Sequence, residues 1–193
     1  MEGRKSYPRM DELSDEAIME RVKAGETGRL DLLVYRYEKP LHAYAFRIMG
    51  NRAAAEDAFQ ETFLKLLRSR EQYRVGALVR PWLYQICLNV CRDALRKNSR
   101  RPQTVELSPI LPLPDPSEGP EELSQQAALS AHVRAAVEEL PEKHREVFLL
   151  AFYQELPYSE IAEILDIAVG TVKSRVFMAH RKLSSTLSEF RPT

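Results

Sequence analysis

Five prolines, Pro109, Pro112, Pro114, Pro116 and Pro120, crowd one short stretch near the middle of the chain. Proline has no amide proton to give a helix or a central strand, and it steers the preceding residue away from helical geometry. Residues 101–122 are therefore expected to form a linker. That break divides 193 residues into two parts, each sized for a small domain. With 44% apolar and 29% charged residues, both can bury a core and stay dissolved. The expected fold class is all-α: two small helical domains, residues 14–100 and 123–187, joined by a Pro-rich linker, with residues 1–13 disordered.

The second domain carries the more specific pattern. Residues 158–183 read as a short helix, a tight turn and a longer basic helix. Ile161 and Leu165 stand four apart, and Val172, Val176, Ala179 and Leu183 recur at four, three and four, which places each set on one helical face. Thr171, Lys173, Ser174, Arg175, Arg181 and Lys182 lie off that stripe, as a helix entering a DNA major groove requires for base edges and phosphates. Gly170 and Thr171 are expected to offer free amides, at the positive end of the helix dipole, to a phosphate.

Charge follows the same division. The net formal charge is zero, yet residues 68–101 hold nine basic side chains against Glu71 and Asp93, whereas residues 102–133 hold five acids and no Lys or Arg. Residues 138–166 are again acidic, and from Gly170 onward five bases face Glu189 alone. Two basic segments separated by acidic ones suit a polyanion touched once by each domain.

Other classes find little support. Cys87 and Cys91, the two cysteines, are one turn apart on a helix and lack histidines at ligand spacing, so buried free thiols are expected and no metal site. No phosphate-binding loop, nucleophile elbow or HExxH pair is present, so neither catalysis nor a cofactor is expected. No apolar run is long enough to span a bilayer and the N-terminus lacks a signal-peptide core, which points to the cytoplasm.

In the first half, Ser14 is expected to cap a helix closed at Gly25, and a second helical stretch covers Thr27–Glu38 and Pro40–Met49, interrupted or restarted at Pro40. Leu30, Leu33, Val34 and Tyr37 supply its apolar spacing. Asn51 caps a third helix, Arg52–Arg68, with Ala55, Phe59, Phe63 and Leu66 inward. Its outer face gathers Asp57, Gln60, Glu61 and Leu64, an apolar residue among acids and an amide, which reads either as an ordinary solvated face or as a docking surface for a basic helix. A loop from Glu71 to Arg80 leads to a helix opened by Pro81 and reaching Asn98. Leu83, Ile86, Cys87, Val90 and Ala94 form its core stripe. Gln85, Asn89, Arg92 and Arg96, continued by Lys97, form a polar, cationic one. Tyr73, Trp82 and Tyr84 are aromatic groups able to stack on unpaired bases, with Trp82 better suited to the core.

Ala55-Glu-Asp-Ala-Phe-Gln-Glu-Thr-Phe-Leu-Lys-Leu-Leu67, together with the segment Arg80–Arg96, resembles the clamp-binding and promoter-melting parts of region 2 of an extracytoplasmic-function (ECF) RNA polymerase sigma factor. Leu140-Pro-Glu-Lys-His-Arg-Glu-Val-Phe-Leu-Leu150 and the helix-turn-helix resemble region 4. The resemblance implies that Asp57, Gln60, Glu61 and Leu64 bind core RNA polymerase. It implies that Tyr73, Arg80, Gln85, Asn89, Arg92, Arg96 and Lys97 open and read the −10 element of promoter DNA, where a base is flipped from the non-template strand. It implies that Thr171, Lys173, Ser174, Arg175, Arg181 and Lys182 read the −35 element, that an anti-sigma factor masks the polymerase-binding surfaces, and that the linker threads channels of the polymerase. The chain departs from the family at Asp166, where a glycine is usual, and at Met178 and His180, where relatives often carry arginine.

A stand-alone regulator, binding duplex DNA through residues 158–183 with the first half as a dimerisation or sensor module, fits the same residues. A nucleic-acid enzyme is the third alternative.

Overall fold

Ser14 opens the first helix by accepting a hydrogen bond from the Ala17 amide at 3.1 Å, as a serine N-cap does. The computed structural model describes residues 13–98 and 131–188; the linker at 101–122 and residues 1–12 lie outside the described residues. The chain divides into two units, Met1–Thr104 and Val105–Thr193, and every regular element among the described residues is helical.

The first unit holds α1 (Asp15–Lys23), α2 (Leu30–Met49), α3 (Arg52–Arg68) and α4 (Val79–Asn98), with short 3-10 turns at Thr27–Arg29 and Arg70–Gln72. Asn51 caps α3 as expected, its Oδ1 taking the Ala54 amide at 2.9 Å. Gly50 ends α2 in the left-handed conformation, φ +67°, which glycine adopts without the clash a Cβ brings.

Pro40 does not break α2, contrary to expectation: one helix runs through it. An interior proline costs roughly 3 kcal/mol. Leu33, Tyr37, Leu41 and Tyr44 are all buried on either side of it, and each large apolar side chain so buried contributes about 1.5–3 kcal/mol. Tertiary packing outweighs the local penalty. Val34, expected in that stripe, is half-buried.

α1 is bound to α2 through Asp15, whose two carboxylate oxygens accept from Arg36 Nη1 and from the Tyr37 hydroxyl, each at 2.6 Å. Burial, and then the Asp15 contact, push the Tyr37 hydroxyl well above the usual tyrosine range. In α4 the inward face differs from the expected stripe: Leu83, Cys87 and Val90 are buried, Ile86 and Ala94 are only half-buried, and Val79, Tyr84, Leu88 and Cys91 join the core. Cys87 and Cys91 are free and fully buried. The bond to Cys87 and burial push the Cys91 thiol upward, so it stays protonated.

The second unit contains α5 (131–138), α6 (Glu142–Phe148), a π-helical turn at Leu149–Tyr153, α7 (Tyr158–Leu165) and α8 (Val169–Ser188). Val147, Leu149, Leu150, Ile161, Val172 and Ala179 are at its centre, each nearly or fully buried. Ile164 lies deeper than Leu165, which is half-buried.

Asp166 ends α7 at φ +52°, ψ 53°. The amide of Ile167 donates to Ala162 O at 3.0 Å and that of Asp166 to Glu163 O at 3.3 Å, the two bonds of a Schellman cap. The turn between α7 and α8 demands a left-handed residue, and here an aspartate fills that place.

Candidate nucleic-acid interface and docking face

On α3, Ala55, Ala58, Phe59, Thr62, Phe63 and Leu66 turn inward, which leaves Asp57, Gln60 and Leu64 exposed and Glu61 half-exposed on the opposite side. Leu64 is 47% exposed. The face is not a row of independent side chains. Gln60 donates to Glu56 Oε1 at 2.9 Å, and Glu56 Oε2 lies 2.9 Å from His42 Nε2 on α2. Glu61 meets Arg68 at 3.4 Å, an exposed pair worth little in water. Among the described residues Asp57 has no ion-pair partner, so its carboxylate is available to a cation. Glu56, absent from the expected set, is drawn in by Gln60 and His42, and both contacts hold its carboxyl below the usual range.

The loop between the 3-10 turn and α4 is gripped at both ends by α1. Lys23 Nζ donates to Tyr73 O at 2.6 Å, and the Val79 amide, first of α4, donates to Glu16 Oε1 at 3.3 Å. A carboxylate there also meets the positive end of the α4 dipole. Between these holds, Gly76 takes φ +81°, and Val75 and Leu78 are 68% and 50% exposed.

Tyr73 requires a correction. Its ring is 3% exposed, stacks on Trp82 with centroids 5.6 Å apart, and its hydroxyl donates to Ala77 O at 2.5 Å. Burial, with Glu16 and Glu20 nearby, pushes that hydroxyl up to about 12. In this conformation Tyr73 cannot stack on a base; it shapes the loop from within. Tyr84 is likewise buried, edge-on to Tyr44 at 5.3 Å. Trp82, expected in the core, is half-buried and covers Tyr73.

The cationic stripe of α4 is at the surface. Arg80, Asn89, Arg96 and Lys97 are exposed, and Gln85 and Arg92 are half-buried beside them. Asp93 draws Arg96 to 3.6 Å and Lys65 of α3 to 3.8 Å, contacts at the loose end of ion pairing.

On α8, Lys173, Ser174, Arg181 and Lys182 are exposed, and Thr171 and Arg175 are half-buried. They do not form one cluster. Ser174 and Arg181 lie on the ridge opposite Val172, Val176, Ala179 and Leu183. Lys182 instead reaches back to α5, donating to Glu139 O at 3.1 Å, where a cation meets the helix's carbonyl end. The Thr171 amide is not free as expected: it donates to Ala168 O at 2.8 Å. Phe177 and Met178, outside the expected set, are 65% and 45% exposed on the outer ridge. Their position off the apolar stripe was the signal that marks them.

These surfaces belong to a two-unit helical protein whose second unit carries a helix-turn-helix and whose first exposes a mixed acidic and apolar face on α3. Residues 33–101 match the model of Sigma-70 region 2, and residues 131–183 that of Sigma-70, region 4. The RNA polymerase sigma-H factor of Pseudomonas aeruginosa is 30% identical over 181 residues, covering 90% of this chain and 93% of that protein. The ECF RNA polymerase sigma-E factor of Escherichia coli K12 is 31% identical over 182 residues, 91% and 95% of the two chains. Among solved structures, CnrH in complex with the cytosolic domain of CnrY aligns with a TM-score of 0.68 at 22% identity, over 91% of this chain and 97% of that one. The sigma factor RpoE of Bartonella quintana, in complex with the anti-sigma factor NepR, aligns at 0.65 and 24% identity, over 84% and 98%; both share the fold. The chain belongs to the sigma-70 family, within its ECF group. It is an alternative sigma factor that directs promoter recognition by core RNA polymerase, which sets aside the stand-alone regulator.

Proposed function

We propose that the labour is divided as follows. The outer face of α3, Asp57, Gln60, Glu61 and Leu64, docks on a basic helical surface of core polymerase. The loop at residues 73–78 and the stripe of Arg80, Gln85, Asn89, Arg92, Arg96 and Lys97 take the −10 element as an opened strand. The α8 ridge, with Thr171, Lys173, Ser174, Arg175 and Arg181, takes the −35 element as duplex, with Lys182 serving chiefly to hold α5. The protein acts by binding in the cytoplasm and catalyses no reaction of its own.

The observation that carries this reading is the pairing of an exposed leucine between acids on α3 with a cationic, exposed α8 in the other unit. A lone DNA-binding module has no use for the first. An exposed leucine is by itself unremarkable; one flanked by Asp57, Gln60 and Glu61 matches a partner helix that is both apolar and basic. Because RpoE is solved with the anti-sigma factor NepR bound and CnrH with the cytosolic domain of CnrY, we extend to this chain an anti-sigma factor that covers the same faces.

The test compares promoter-duplex binding by the free protein and by its complex with core polymerase, using fluorescence anisotropy at fixed salt. Tight, sequence-selective binding is expected from the complex and weak binding from the free chain. Equal, tight binding by the free chain would overturn the division of labour.

A further inference from the structure

Phe177 and Met178 are exposed on a helix that already buries a full apolar stripe. They stand three and four residues after Ser174, and four and three before Arg181, which centres them on the ridge turned away from the core. Between Ile167 and Ser188 the sequence holds no Asp or Glu, while Lys173, Arg175, Arg181 and Lys182 flank the pair.

An apolar pair set among cations suits one occupant on both counts. Duplex DNA offers phosphates to the cations, and its major groove carries one apolar feature, the thymine C5 methyl. The hydrogen-bonding chemistry points the same way. A phenyl ring donates and accepts nothing, and a thioether is only a weak acceptor, so neither can take guanine N7 and O6 as an arginine fork does. Methionine's unbranched, polarizable chain adapts to a methyl surface.

We propose that Met178 and Phe177 read thymine methyls within the −35 duplex, so that apolar contact sets this chain's base preference there. The inference rests on the assignment of α8 to the −35 element. It makes the chain selective for A·T pairs with thymine on the contacted strand, and blind to guanine at the position facing Met178.

The test uses the complete holoenzyme on a promoter selected from a library randomised across the −35 element. Each thymine of the selected site is replaced in turn by uracil, which removes the methyl and leaves base pairing intact. A loss of about fourfold in affinity is expected at one or two positions, the order of one buried methyl group. Met178→Ala should abolish the uracil penalty at one of them, and Met178→Arg should shift the selected base there towards guanine. Both variants change an exposed side chain, and circular dichroism checks that the helices persist. Uracil-substituted sites bound as tightly as thymine sites, with guanine and cytosine preferences elsewhere intact, would overturn this inference alone. Initiation without any dependence on the −35 sequence would overturn the assignment of α8 as well.

Discussion

Lys23 donates to the carbonyl of Tyr73 across 2.6 Å, joining residues fifty apart in sequence. With Glu16 holding the Val79 amide, α1 fixes both ends of the loop proposed to receive the opened strand. Lys23→Met should cost about 1–2 kcal/mol, as for loss of a charge-assisted hydrogen bond. It should slow open-complex formation, read by permanganate footprinting, while core binding stays unchanged. Lys23→Arg should restore most of the opening. Normal opening by Lys23→Met would remove α1 from the account of the loop.

Tyr73 offers an independent check of the same loop. Tyr73→Phe keeps the stack on Trp82 but loses the bond to Ala77 O, and should cost about 1 kcal/mol. Fluorescence of Trp82, the sole tryptophan, should show its stack preserved while open-complex formation falls. A variant indistinguishable from wild type in stability and opening would contradict the role given to the hydroxyl.

The Glu56 carboxyl is held down first by Gln60 and then by His42. A lowered folded value means that its contribution to stability is present above the ordinary glutamate value, about 4.3, and is lost as pH falls through the folded value. Carbon-13 NMR titration should place its midpoint below that of a free glutamate, and Gln60→Ala should move it upward. A wild-type midpoint at the ordinary value would show that these contacts do not persist in solution.

Replacing Asp57, Gln60 and Glu61 together by Ala should weaken binding to core polymerase by tenfold or more, the effect of losing roughly 1.4 kcal/mol. All three lie off the core, so the fold should change by little. Unchanged affinity for core, measured by surface plasmon resonance, would sink the docking assignment.

Much of this architecture was legible because its signals are local. Ser14 and Asn51 cap the helices they precede, and the inward stripe of α3 follows from spacing alone. Pro40 misled because the local cost of a helical proline says nothing of Leu33, Tyr37, Leu41 and Tyr44 packing on either side. Tyr73 misled for a related reason: whether an aromatic faces a base or the core depends on Trp82 and on α1, neither of which is adjacent to it. The His42–Glu56–Gln60 chain joins two helices and has no sequence period. Asp166 was legible as a departure, and the structure adds that its position is left-handed.

That position yields a further expectation. An L-residue in the left-handed region carries strain that glycine avoids, although glycine costs more chain entropy on folding. Asp166→Gly should give a net gain of about 0.5–1 kcal/mol, seen as slower amide exchange in α8. Faster exchange would mean that the Asp166 side chain stabilises the turn in a way its backbone does not reveal.

As an alternative sigma factor, this chain gives core polymerase its choice of promoter. Run-off transcription from a library of upstream fragments, with core polymerase and with or without the protein, tests it most directly. New starts that require the protein, and that share elements near −10 and −35, are the expected result. An unchanged set of starts, from a preparation shown to bind core, would contradict it.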